Sequence, residues 1–290
     1  MEKRLTPSTW DDNGWQLHFR STQDMHLHDA NASLFDTYPV TDRYELSSGT
    51  RCQVPFYCHS ANMVMLHGLV EFDAVGRLLE GQNYLPVILD NGKGIACLWV
   101  VQYEDTSCGP YHEVILTFVT SRRRLLLGYD TPMDVLGAAL HTEAMTFSYT
   151  LYLNQRVPIE YGRELHGIPK HRTPRPIDIS LTESRCRFTL GSEGRHAVRG
   201  DIQLPQEPAP TVRVSFPFVT PVDLLQTRNV LHYEFAPRVR VADGEDTLTF
   251  LPDTEFGRLL RELDFQLRVV QYAPGARFVM PKPLNWLQEG

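Results

Sequence analysis

The chain is expected to fold mainly as β-structure, a strand-rich and largely antiparallel barrel or sandwich with a few short helices. Three observations carry that expectation. Short segments rich in β-branched and aromatic residues follow one another along most of the chain. The intervals between many of them, bounded by Gly, Pro and Asp, are too short for βαβ crossovers. No internal repeat or low-complexity linker divides the chain, which favours one domain.

Residues 1–50 are polar, rich in Asp, Ser, Thr and His, without sustained periodicity, and are expected to form an irregular N-terminal extension. Residues 51–290 are expected to form a single domain. Within it, residues 63–70 are apolar enough for a strand, and Asp73 offers an N-cap for a short helix over 74–79 that Gly81 stops. Residues 95–103, 113–120 and 146–153 read as strands. Thr131-Pro132 opens a helix ending near His141. Strands are expected again over 177–181, 185–190, 197–204, 211–216 and 230–235, with Pro-rich 204–210 as a connecting loop. Phe256, Leu259, Leu260 and Leu263 share one face of a helix over 255–263, which precedes a last strand over 266–272.

With 42% hydrophobic and 22% charged residues in 290, the chain can bury one large core. A net charge of -7 argues against a nucleic-acid partner and against a polybasic membrane patch. No window approaches the roughly 18 apolar residues of a membrane span, and the first residues lack the apolar run of a signal peptide, so a cytoplasmic location is expected. The five cysteines, Cys52, Cys58, Cys97, Cys108 and Cys186, are odd in number and contain no Cys-x-x-Cys pair. Free thiols follow, without a disulfide framework. Cys52, Cys58 and His59 match no zinc spacing, so no metal is expected. The Arg122-Arg123-Arg124 run reads as a solvated turn.

Lysine is scarce, with four against 24 arginines. One of the four, Lys170, ends the segment Gly162-Arg-Glu-Leu-His-Gly-Ile-Pro-Lys170. A lysine amine, unlike a guanidinium, can lose its proton and attack a carbonyl when burial or neighbouring cations favour the neutral form. Leu165, Ile168 and Pro169 could supply burial here, and Arg163, Arg172 and His171 positive potential.

The wider stretch from Tyr152 to Lys170 resembles the active-site segment of the acetoacetate decarboxylase family. There a Tyr-Leu-Asp strand leads to Gly-Arg-Glu-Leu and then to an aromatic-Pro-Lys, and the register holds without a gap over these 19 residues. Upstream, Asp105-Thr-Ser with Tyr111-His-Glu113 resembles the same family's Asp-Thr-Ser and Tyr-x-Glu stretch. The likeness spans about residues 60–270. It implies a closed, cone-like antiparallel β-barrel whose interior lysine forms a Schiff base with a keto substrate, with no cofactor. By that resemblance Lys170 is the nucleophile and Glu113 handles protons, with His112 and His166 as second choices. Tyr111 belongs to the same pocket, and Arg163 and Glu164 form a supporting ion pair or hold the loop.

Three departures from the family pattern bear on substrate. His171 stands where a second lysine follows the nucleophile, Trp99 falls on or near the place of an acidic residue, and Ser60-Ala61-Asn62 covers that of an early arginine. Together they point to a substrate larger or more apolar than acetoacetate. The resemblance thus implies a Schiff-base lyase acting on a keto acid or polyketide-like small molecule, as decarboxylase or aldolase-dehydratase, in a homo-oligomer as in relatives. Two other classes remain open: an isomerase or cyclase using the cavity for acid–base catalysis, and a non-catalytic small-molecule-binding barrel.

Overall fold

The structure is a computed structural model that describes residues 33–173, 177–192, 195–221 and 228–283. Seven strands form its barrel: β1 (Phe56–Glu71), β2 (Lys93–Thr106), β3 (Tyr111–Ser121), β4 (Met145–Leu153), β5 (Val212–Val219), β6 (Arg228–Phe235) and β7 (Gln266–Met280). Neighbours in sequence are neighbours in space, β7 also pairs with β1, and the ring is closed. Six seams are antiparallel, as expected. The seventh is parallel, Phe218 opposite Thr146 and Val219 opposite Phe147. Between β4 and β5 the chain makes a long excursion through a helix and a separate sheet, long enough to return in the same direction.

That excursion explains why the barrel strands read as nearly continuous apolar text. A four-stranded antiparallel sheet (Asp178–Leu181, Arg185–Ser192, Arg195–Gln203 and Thr247–Phe250) packs on the outside of the barrel. Its Phe188, Val198 and Ile202 share one core with the outward-facing Leu66, Leu98 and Leu116. The alternate residues Met63, Met65, Cys97 and Val101 enter a second core inside. Strands buried on both faces lose the apolar–polar alternation.

Among the described residues five short helices accompany the strands: α1 (Leu34–Thr37), α2 (Phe72–Leu78), α3 (Asp134–Ala139), α4 (Arg156–His166) and α5 (Glu255–Glu262). None is long and apolar enough to cross a membrane. The α2 N-cap is Glu71 and makes no side-chain cap bond, so the expected cap Asp73 instead lies in the first turn, where its charge suits the helix dipole. The expected helix after Thr131-Pro132 begins only at Asp134, whose carboxylate accepts from the amides of Asp130 and Thr131. Strand β7 runs on to Met280 rather than stopping at Tyr272, because register shifts around Ala276 absorb Pro274 and Gly275.

Residues 33–50 are more ordered than an irregular arm. Strand Asp42–Glu45 pairs with Arg51–Val54, Leu34 packs on Tyr57 and Val279, and Leu46 enters the inner core. The remainder of the proposed extension, residues 1–32, lies outside the described residues.

Candidate active site

Helix α4 prepares the site. Pro158 sits in its first turn, where the missing amide hydrogen breaks no helical bond. Gly167 ends it in the left-handed region at φ 60°, and the amides of Gly167 and Ile168 bond back to the Arg163 and Gly162 carbonyls. This reversal sends Lys170–Arg172 alongside β4 as a short parallel strand, Lys170 opposite Leu151. Adjacent residues of a strand face opposite ways. Lys170 therefore enters the barrel, while His171 stays outside, exposed beside the Tyr152 ring.

Inside, Lys170 is 6% exposed and Glu113 1%. Their Nζ and Oε1 atoms lie 3.0 Å apart, close enough to pair but not aligned as a hydrogen bond. The Tyr103 hydroxyl donates to the other carboxylate oxygen at 3.1 Å. The Tyr111 ring centroid is 5.5 Å from the Lys170 ammonium position, and Tyr111 stacks on Tyr103 at 4.3 Å. Register explains this grouping: on the β2–β3 hairpin Tyr103 faces Tyr111 and Val101 faces Glu113. The Asp105-Thr-Ser turn pins that register, since the Thr106 hydroxyl donates to the Gly109 carbonyl at 2.6 Å and accepts from the Cys108 amide at 3.1 Å.

The cavity beyond the pair encloses about 700 Å³ of empty space, its mouth included, and its wall is apolar, with Phe56, Met63, Trp99, Ile115, Phe216 and Phe278 prominent. Among the described lining residues, Lys170 and Glu113 are the only ones of formal charge.

The structure thus brings Lys170, Glu113, Tyr111 and Trp99 to one cavity, and leaves five other expected residues off its wall. Glu164 accepts from the Ser47 amide and hydroxyl at 2.9 and 2.6 Å, so it holds the hairpin from residues 33–50 rather than an ion pair with Arg163. No Arg163–Glu164 ion pair is present among the described residues, and Arg163 is exposed. His166 is fully buried behind the cavity, its Nδ1 2.8 Å from Asn229 Oδ1. His171 also belongs outside, where partial burial of its ring, and then the Arg163 charge, push its pKa down against the opposing pull of Glu255. His112, the other second choice for proton handling, points away and bonds the Ile177 carbonyl at 2.7 Å.

Three site residues escaped sequence reasoning: Tyr103, Tyr161 and Gly162. Tyr103 had a legible signal, because it falls on the same strand face as Trp99, four residues on. Gly162 had none. A Cβ there would lie 2.6 Å from Lys170 Cδ and 2.7 Å from Cε, so the lysine stem runs directly over the glycine. Gly162→Ala is expected to push the amine off Glu113 and cut its reactivity toward carbonyl reagents at least about tenfold, with the circular-dichroism spectrum unchanged. Equal labelling of the two proteins would remove this role for Gly162.

Burial drives His166, and His67 deeper in the barrel, from the ordinary value of 6.5 to about 4. Both rings are neutral in the fold, and unfolding lets them bind protons. Between pH 6.5 and 4 the unfolded chain therefore holds more protons, and stability falls as pH falls. Denaturant titrations at pH 7 and 5 should differ by about 2 kcal/mol per histidine, and His166→Gln should shrink the difference.

The acetoacetate decarboxylase family model matches residues 37–256, which includes the hairpin ahead of the barrel. No curated protein is significantly similar in sequence. Among solved structures, an acetoacetate decarboxylase from Legionella pneumophila is similar with a TM-score of 0.54 and 12% identity, over 80% of this chain and 88% of that one. A second acetoacetate decarboxylase structure gives 0.53 and 14%, over 79% and 88%. The enduracididine biosynthesis enzyme MppR gives 0.46 and 17%, over 78% and 87%. At these identities the structural likeness speaks for the fold, whereas the family match covers most of the chain: this protein belongs to the acetoacetate decarboxylase family.

Proposed function

We propose that this protein is a lyase that forms a Schiff base between Lys170 and the ketone of a keto acid larger than acetoacetate. The observation that carries the reading is the buried Lys170–Glu113 pair at 3.0 Å, facing an otherwise apolar cavity. Transfer of one proton from Nζ to the carboxylate leaves a neutral amine, the form that can add to a carbonyl, beside a carboxylic acid. The amine adds to the carbonyl carbon. The acid returns its proton to the departing hydroxyl, water leaves, and an iminium remains.

The iminium draws electrons from the adjacent bond. A β-keto acid then loses carbon dioxide, whereas a 2-oxo acid loses a proton from C3, the carbon next to the iminium carbon, to the Glu113 carboxylate, and either route yields an enamine. Protonation of that enamine completes a decarboxylation, and its addition to an aldehyde completes an aldol step; hydrolysis frees Lys170 in both. Tyr103, donating to Glu113, orients the carboxyl throughout. The apolar wall, with Trp99 as its largest side chain, suits a substrate with more carbon than acetoacetate.

Borohydride reduction with pyruvate or acetoacetate present tests the reading. An irreversible mass increase that peptide mapping assigns to Lys170 is expected. Absence of any adduct, with activity retained by Lys170→Arg, would replace the Schiff base by acid–base catalysis around Glu113.

A further inference from the structure

A second, larger cavity lies further along the same strands. Including its mouth it holds about 1590 Å³, and its wall passes from Met65 and His67 on β1 and Val119 on β3 to Leu136 and Ala139 of α3. The Pro-rich segment expected only as a connecting loop forms another side through residues 207–210. Six residues, Met63, Trp99, Thr117, Thr146, Phe216 and Tyr233, line this chamber and the lysine cavity alike. The two cavities therefore adjoin along these residues. Trp99 is the largest of these, half-buried, tethered by one hydrogen bond from its indole nitrogen to the Thr117 hydroxyl at 3.1 Å and 6.2 Å from the Phe216 ring.

The chamber is mostly apolar, and the buried His67 on its wall is tied to Gln271. His67 is 6% exposed. Its Nε2 lies 3.1 Å from Gln271 Oε1, while Nδ1 is buried and has no partner among the described residues. With the Gln271 oxygen as acceptor, the hydrogen sits on Nε2 and Nδ1 keeps a lone pair. Burial holds the ring neutral, its pKa lowered to about 4. The charged residues on the wall, exposed Glu207 and half-buried Arg238, are opposite in sign, so the chamber has no strong preference for an ion.

We propose that this chamber is a subsite for the apolar tail, alkyl or aryl, of the substrate whose ketone meets Lys170. The proposal rests on the Schiff-base reading for the head group alone. It narrows the substrate class to keto acids whose chain passes Trp99 and fills space that acetoacetate leaves empty.

Two measurements on the full chain separate the subsite from the lysine chemistry. The first is borohydride trapping across straight-chain 2-oxo acids from pyruvate to twelve carbons, read as the concentration giving half-maximal adduct. The second is binding of dodecanoate, which has no ketone, followed by tryptophan fluorescence. Half-maximal concentration should fall at least about tenfold along the series, since every methylene buried adds affinity. Ala139→Trp, which fills the far chamber, should erase that length dependence and weaken dodecanoate binding; Leu140→Trp serves the same purpose if the first variant misfolds. Trapping of pyruvate and the long acids at equal concentration would overturn the subsite and leave the lysine reading standing. Dodecanoate binding that Ala139→Trp abolishes, with no keto acid trapped, would support the subsite and sink the Schiff base. Neither trapping nor binding would overturn both.

Discussion

Lys170→Ala should abolish the borohydride adduct and lower turnover roughly 10⁴-fold, the scale seen when a covalent nucleophile is removed. The amine is the only basic group among the described residues of the lysine cavity, so no neighbour can take over iminium formation. The same change removes the counter-ion of a carboxylate that is 1% exposed, and breaking a buried pair from one side costs about 3–5 kcal/mol. Loss of activity alone would therefore confuse chemistry with unfolding. Lys170→Met resolves this, because its thioether chain can lie over Gly162 where the lysine stem does, while offering no amine. Folded Lys170→Met without adduct is the expected result, and an adduct on it would place the reactive amine elsewhere.

Glu113→Gln should lower turnover by about 10² to 10⁴ while leaving Lys170 trappable, only more slowly, since the amide keeps an acceptor for Tyr103 but carries no exchangeable acid proton. Glu113→Ala should instead destabilise the protein by about 3–5 kcal/mol, because it strands the lysine in an apolar wall. The pair of variants separates proton transfer from packing. Steady-state rates, trapping rates and urea midpoints on both proteins give the comparison. Full activity in a folded Glu113→Gln enzyme would remove Glu113 from the proton path and leave it only an electrostatic role.

Much of this is legible in the sequence. The strand-rich class followed from short runs of Val, Ile, Phe and Tyr between turn residues, because β-branched and aromatic side chains suit a pleated, packed surface. Lys170 and Glu113 followed from two local motifs in the right order. Strand ends were less legible: β7 passes through Pro274 and Gly275, residues that normally stop a strand, because register shifts there accommodate them. Helix α4 was hidden within the motif that contains it, and its Pro158 and Gly162 read as breakers.

The candidate histidines failed for a reason that local sequence cannot express. His171 adjoins Lys170 yet lies on the other face of its strand, and His166, four residues away, is turned behind the cavity by α4 and bonded to Asn229. Proximity along the chain does not settle which side of a barrel wall a residue occupies. Tyr103, Trp99 and Phe278 meet near the lysine only because β7, β1, β2 and β3 are neighbours in a closed ring.

The residues alone spell out the chemistry on offer: one lysine among few, a carboxylate strand, and a family pattern that links them. That Lys170 and Glu113 lie 3.0 Å apart out of water, that Gly162 makes room for the lysine stem, and that a second chamber adjoins Trp99 depends on how the strands close. Reactive groups are written residue by residue, but burial and cavity shape depend on which distant strands close around them, and no local pattern encodes that closure.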